Sequence, residues 1–108
     1  MTKITYTVKD DEFILTCVGH AGYAKAGEDI VCAGISTLVQ TLANYLPQVT
    51  DVYDVAISKA KVFCYGKGEE AYTCFKMTLA GLRLMETEFP LYLEVAEGCT
   101  INSQNPLQ

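Results

Sequence analysis

The sequence predicts an α+β fold in two layers, with two helices packed on one face of a five-stranded mixed or antiparallel sheet in the order β-β-α-β-β-α-β. Three observations predict it. Apolar and polar residues alternate in short stretches, while two longer stretches repeat their apolar residues at helical spacing. Each helical stretch has a single apolar stripe, so both must cover the same kind of surface, which one sheet face supplies. The chain has 108 residues, half of them hydrophobic, which is the size of one domain with its own core. That single domain is expected over residues 1–108, with polar residues 102–108 as a frayed tail.

The elements follow in order. Ile4, Tyr6 and Val8 alternate with Thr5 and Thr7 as a strand. Asp10-Asp11-Glu12 is a turn, and Phe13 to Val18 is a second strand of the same hairpin, ended by Gly19. Residues 19–28 contain Gly19, Gly22 and Gly27 and read as a mobile loop, long enough in so small a domain to suggest a functional role. The first helix is expected from Ile30 to Leu46, with Asp29 as its N-cap and Pro47 as its end. Val31, Ile35, Leu38, Leu42 and Leu46 form its apolar stripe, and Thr37, Gln40, Thr41 and Asn44 lie opposite. Val52–Ile57 and Val62–Tyr65 are two further strands joined near Lys59-Ala60, and Gly66-Lys67-Gly68 breaks the second. The second helix spans Glu69 to Glu88, with Ala71, Cys74, Phe75, Thr78, Leu79, Leu82, Met85 and Phe89 at helical spacing and Pro90 closing it. Leu91, Leu93 and Val95 form the last strand. The uncovered sheet face is expected to hold Tyr6, Tyr53, Phe63, Tyr65 and Tyr92, an aromatic surface suited to a dimer.

Composition narrows the function. A net charge of -5 argues against a nucleic-acid or anionic-membrane surface. No apolar run approaches the roughly 18–20 residues of a membrane span, and Met1-Thr2-Lys3-Ile4 lacks a signal-peptide core, so the expected compartment is the cytoplasm. The cysteines, Cys17, Cys32, Cys64, Cys74 and Cys99, are odd in number and show no C-x-x-C spacing, which indicates neither a disulfide framework nor a zinc site of common spacing. The glycines of residues 19–28 match no phosphate-loop pattern, and Glu28-Asp29 would repel phosphate at the helix start. Neither a metal nor a cofactor is expected, although His20, Cys32 and Asp29 could in principle form an open metal site.

The chemistry concentrates in one stretch. His20 is the only histidine in the chain, and Cys32 follows it by twelve residues at the mouth of the first helix. A helix N-terminus and a nearby imidazolium both favour a thiolate. His20 could take the thiol proton and later protonate a leaving amine, while amides of the first helical turn could hold an oxyanion. Asp29 has two readings: it orients His20 as a third member, or it only caps the helix and slightly opposes thiolate formation. Ser36, one turn after Cys32, either hydrogen-bonds within the site or bonds back to the Cys32 carbonyl. Gly19, Gly22 and Gly27 are the candidate hinges of the loop that carries His20. A rival reading is a non-catalytic dimeric interaction module, in which Cys32 is inert.

The run Gly19-His20-Ala21-Gly22-Tyr23-Ala24, followed by Gly27-Glu28-Asp29-Ile30-Val31-Cys32-Ala33-Gly34-Ile35-Ser36, resembles the signature of the ribosomal-processing cysteine protease family, Prp. The resemblance is dense over residues 19–36 and extends coarsely over about residues 2–96 through the order of elements. It implies a cytoplasmic bacterial endopeptidase that removes a short N-terminal extension from a large-subunit ribosomal protein, cutting after an aromatic pair and before a small residue. It also implies His20 and Cys32 as the catalytic pair, a homodimer, and a histidine loop that moves when peptide binds. Phage relatives make a capsid-related substrate a second possibility. For the rival non-catalytic module, an association with ribosome assembly is only what this resemblance implies. Gly34 departs from the alanine common in the family and is expected to allow a close approach of substrate or loop. Residues 58–70 and the tail beyond Gly98 have no clear counterpart in the family.

Overall fold

A computed structural model describes residues 1–98. The strands are β1 (Thr2–Lys9), β2 (Glu12–Val18), β3 (Tyr53–Ser58), β4 (Lys61–Lys67) and β5 (Leu93–Glu97), and the helices are α1 (Ile30–Val49) and α2 (Glu69–Glu88). The five strands form one mixed sheet in the order β3-β4-β2-β1-β5, with β1 and β5 parallel and the other neighbours antiparallel. Both helices lie on one face. The architecture and element order are those predicted from periodicity.

Register explains which side chains meet the helices. Ile4 pairs with Cys17, Tyr6 with Leu15 and Val8 with Phe13, and across the next ladder Cys17 pairs with Val62 and Leu15 with Cys64. These residues share one face and join Val31, Ile35, Val39, Leu42 and Leu46 of α1 with Ala71, Phe75 and Leu82 of α2 in a single core. Phe13 stacks on Phe75 at a centroid distance of 4.6 Å. The expected stripe of α1 is present except that Val39 and Ala43 are buried, whereas Leu38 is only partly so.

Several boundaries differ from expectation. Pro47 does not end α1; the helix runs to Val49, and the Thr50 N–H donates to the Leu46 carbonyl at 3.1 Å. Proline removes only its own amide bond there, and the fully buried Leu46 keeps the last turn on the sheet. Gly66 and Lys67 belong to β4. A Cβ on Gly66 would lie 2.9 Å from the Phe13 ring, so this glycine makes room inside the sheet and the break falls at Gly68. The turns Asp10-Asp11 and Lys59-Ala60 each hold a residue at positive φ, Asp10 at 54° and Ala60 at 63°. The strand expected from Leu91 starts at Leu93.

The predicted aromatic face is corrected. Tyr6 has the parity of Ile4 and Val8, points under the helices toward Phe75, and donates no surface to the open side. Tyr53 pairs with Gly66 and lies on the helix side of the edge strand. Tyr92 precedes β5 and meets Tyr23. Only Phe63 and Tyr65 fall on the uncovered face, beside Ile14 and Thr16. By length and composition alone α1, twenty residues with a mean hydropathy of 1.2, is apolar enough to cross a bilayer, although its apolar stripe is packed in the core.

Candidate active site

Gly19 ends β2 where the chain must pass closely beneath the N-terminus. Its φ is +98°, and a Cβ there would stand 2.8 Å from the Met1 carbonyl oxygen. The Gly19 N–H donates to the Ala60 carbonyl at 2.8 Å, which anchors the start of the loop to the β3–β4 turn. His20 then projects into solvent while Ala21 is buried, and Gly22 and Gly27 also take positive φ, 73° and 88°. A turn closed by the Glu28 N–H on the Lys25 carbonyl, at 3.0 Å, leads into α1.

Asp29 organises this junction. As N-cap of α1, its Oδ1 accepts the Cys32 N–H at 2.8 Å. Its Oδ2 accepts the Tyr23 N–H at 3.0 Å and the Ala24 N–H at 3.4 Å. Partial desolvation pushes the Asp29 carboxyl up, but the backbone N–H groups it accepts outweigh this and hold it below its ordinary value. Of its two sequence readings, the cap is present, and the second oxygen ties down the loop. Among the described residues no hydrogen bond joins Asp29 to His20.

This arrangement changes the expected oxyanion site. The Cys32 amide is already committed to the Asp29 carboxylate, so it is not a free donor. The same carboxylate offsets part of the positive end of the α1 dipole.

His20 and Cys32 do share a cleft. It has a volume of about 450 Å³ and is lined by His20, Gly27, Asp29, Cys32, Ala33 and Ser36 together with neighbouring loop residues. Cys32 is half-buried against the core, and Ser36 stands one turn further along the same wall. No hydrogen bond links Ser36 to the Cys32 carbonyl among the described residues. A second, shallower groove of about 490 Å³ runs along the outer face of α1 from Ser36 to Gln48, away from His20. Among the described residues no three His, Cys, Asp or Glu side chains come together to hold a metal ion.

Two of the other described thiols are buried, whereas Cys74, like Cys32, is half-buried. Cys17 is pushed up to about 11 by burial, with a smaller effect from Cys32, and Cys64 to about 12 by burial, with a smaller effect from Cys17. Gly34 is not at the cleft. It faces the Met85 side chain of α2, so its close approach is between helices rather than to substrate. Tyr23 went unnoticed in the sequence as a structural contact. Its ring meets Phe89 at 5.8 Å and Tyr92 at 5.2 Å, both edge-on, and the only sequence signal was an aromatic residue inside a glycine-rich loop.

The family model for cysteine protease Prp matches residues 1–94. Among solved structures, the S. aureus ribosomal processing protease Prp with a covalently linked product peptide is 24% identical at a TM-score of 0.80, covering 91% of this chain and 100% of that one. The same S. aureus protease with a substrate peptide is 23% identical at a TM-score of 0.73, with coverages of 91% and 100%. SMU.848 from Streptococcus mutans is 22% identical at a TM-score of 0.72, with coverages of 94% and 96%. No curated protein sequence matches. At these identities the structures establish a shared fold, and the family match covers nearly all of the described chain, including the cleft. The chain therefore belongs to the cysteine protease family Prp.

Proposed function

We propose that this cysteine protease uses a Cys32–His20 dyad to remove a short N-terminal extension from a large-subunit ribosomal protein in the cytoplasm, working as a homodimer. The observation that carries this reading is the cleft at the start of α1 that His20 and Cys32 both line. The fold shared with a protease described as ribosomal-processing, and bound there to substrate and product peptides, supports the substrate class. Family membership leaves no support for the non-catalytic alternative.

The chemistry is acyl transfer. His20 takes the Cys32 proton, and the sulfur attacks the scissile carbonyl carbon. Collapse of the tetrahedral intermediate breaks the C–N bond as His20 returns the proton to the leaving amine. A water deprotonated by His20 then hydrolyses the thioester and restores the thiol. Asp29 supports the site by fixing the first turn that carries Cys32.

The test is cleavage of candidate ribosomal-protein precursors followed by mass spectrometry. Cys32→Ala and His20→Ala are each expected to lower cleavage at least about a thousandfold with unchanged circular dichroism. Full activity in pure Cys32→Ala protein would rule out the mechanism.

A further inference from the structure

Nothing among the described residues hydrogen-bonds the His20 side chain, so its position must be set through the backbone on either side. On one side the Gly19 N–H is fixed to the Ala60 carbonyl at 2.8 Å, and Ala21 is buried. Beyond it stands Gly22 at φ 73°, with nothing within 4 Å of where a Cβ would be, so this point of the loop is held by no packing of its own. The next fixed residue is Tyr23. Its N–H donates to Asp29 Oδ2 at 3.0 Å. Its ring rests edge-on against Phe89 and Tyr92, which close α2 and lead into β5. Tyr23 thus bridges the cap of the nucleophile's helix and the α2–β5 junction, three residues from His20.

We infer that Tyr23 is a positioning residue: its ring, seated on Phe89 and Tyr92, holds the loop so that the His20 imidazole faces Cys32. This rests on the dyad reading above. The need for it follows from Asp29. Because that carboxylate occupies the Cys32 amide, this N–H is not free to stabilise a thiolate; in the dyad reading the imidazole is the base, and the rate depends on how often the loop presents it. Edge-on aromatic contacts are individually modest, but two of them are enough to shift a loop equilibrium about tenfold. The ring carries the effect: no hydrogen bond of the Tyr23 hydroxyl is present among the described residues.

Kinetics on Tyr23→Ala and Tyr23→Phe in the full chain provide the test, together with iodoacetamide labelling of Cys32 at pH 6 read by peptide mass spectrometry. Tyr23→Ala is expected to lower kcat about tenfold with KM within about twofold, and Tyr23→Phe to restore wild-type values. In the same variant, Cys32 labelling at pH 6 should fall toward the His20→Ala rate. Combining Tyr23→Ala with His20→Ala should slow labelling no further, because both changes remove one imidazole contact. A merely structural contact would lower the melting temperature without this loss of labelling or its dependence on His20. The inference is overturned if Tyr23→Ala keeps wild-type kcat and labelling while His20→Ala loses both. If His20→Ala loses neither, the dyad falls, and the inference falls with it.

Discussion

Three thiols in neighbouring positions have separate fates because of their burial. Cys17 and Cys64 lie on the inner sheet face, 8% and 0% exposed, while Cys32 borders the cleft. A free thiol titrates near 9.0, whereas burial moves Cys17 to about 11 and Cys64 to about 12. The folded state therefore binds these protons more tightly than the unfolded chain. Their contribution to stability is complete below about pH 9 and is lost as the pH rises through 11 and 12. Urea unfolding should show a lower midpoint at pH 10.5 than at pH 8, with a shallower pH dependence in Cys17→Ala. Labelling of native protein at pH 8 should modify Cys32 and leave Cys17 and Cys64 intact; equal rates would contradict the assignment. At this scale the closeness of His20 and Cys32 to one cleft was legible from their spacing around the loop. So was Asp29 as the helix cap; the bonds of its second oxygen to Tyr23 and Ala24 were not, because they depend on where the loop backbone passes, and local sequence does not encode that path.

The elements were largely legible because each carries a strong period. The errors fall where a residue acts against its usual meaning. Gly66 and Pro47 read as breakers, yet one clears space for Phe13 and the other is tolerated in a last turn held by Leu46. Gly34 and Gly81 work likewise at the contact between the helices. A Cβ on Gly34 would lie 2.8 Å from the terminal methyl of Met85, and one on Gly81 would lie 2.9 Å from a methyl of Leu38. The consequences differ. Met85 is flexible and its far end can swing away, so Gly34→Ala is expected to change stability by less than about 0.5 kcal/mol, the gain in helix propensity offsetting the repacking. Leu38 is short and branched and packs against the core, so Gly81→Ala should cost about 1–3 kcal/mol from overpacking. Thermal or urea unfolding of the two variants checks the contrast; equal effects would show that the helices adjust as rigid bodies.

At the scale of the whole molecule, the surfaces differ in how well they are closed to a partner. The β5 edge is guarded: Arg83 Nη1 donates to the Val95 carbonyl at 2.9 Å, and the Val95 N–H donates to Glu86 Oε2 at 2.8 Å. The uncovered sheet face carries charge, with Lys3 opposite Glu94 and Glu12 opposite both Lys9 and Lys67, which disfavours it as the centre of an interface. The expected aromatic face failed because it grouped residues by type across strands: strand parity puts Tyr6 with Ile4 and Val8, under the helices. The outer face of α1 is different. Thr37, Gln40, Thr41, Asn44, Tyr45 and Gln48 line its groove, and residues 30–49 contain no charged side chain although the chain carries 21. An uncharged helical face with an exposed tyrosine has the composition of an interface core. The proposed homodimer is therefore expected to pair its α1 helices. Sedimentation should give a dimer for the native chain, and Thr41→Arg, which places a charge in the middle of that face, should shift it to monomer, weakening association by at least about tenfold, with circular dichroism unchanged. A native monomer removes the homodimer. A dimer that survives Thr41→Arg moves the interface to the exposed β3 edge, where Tyr53 and Ile57 are the remaining large apolar side chains of a strand without a neighbour on one side.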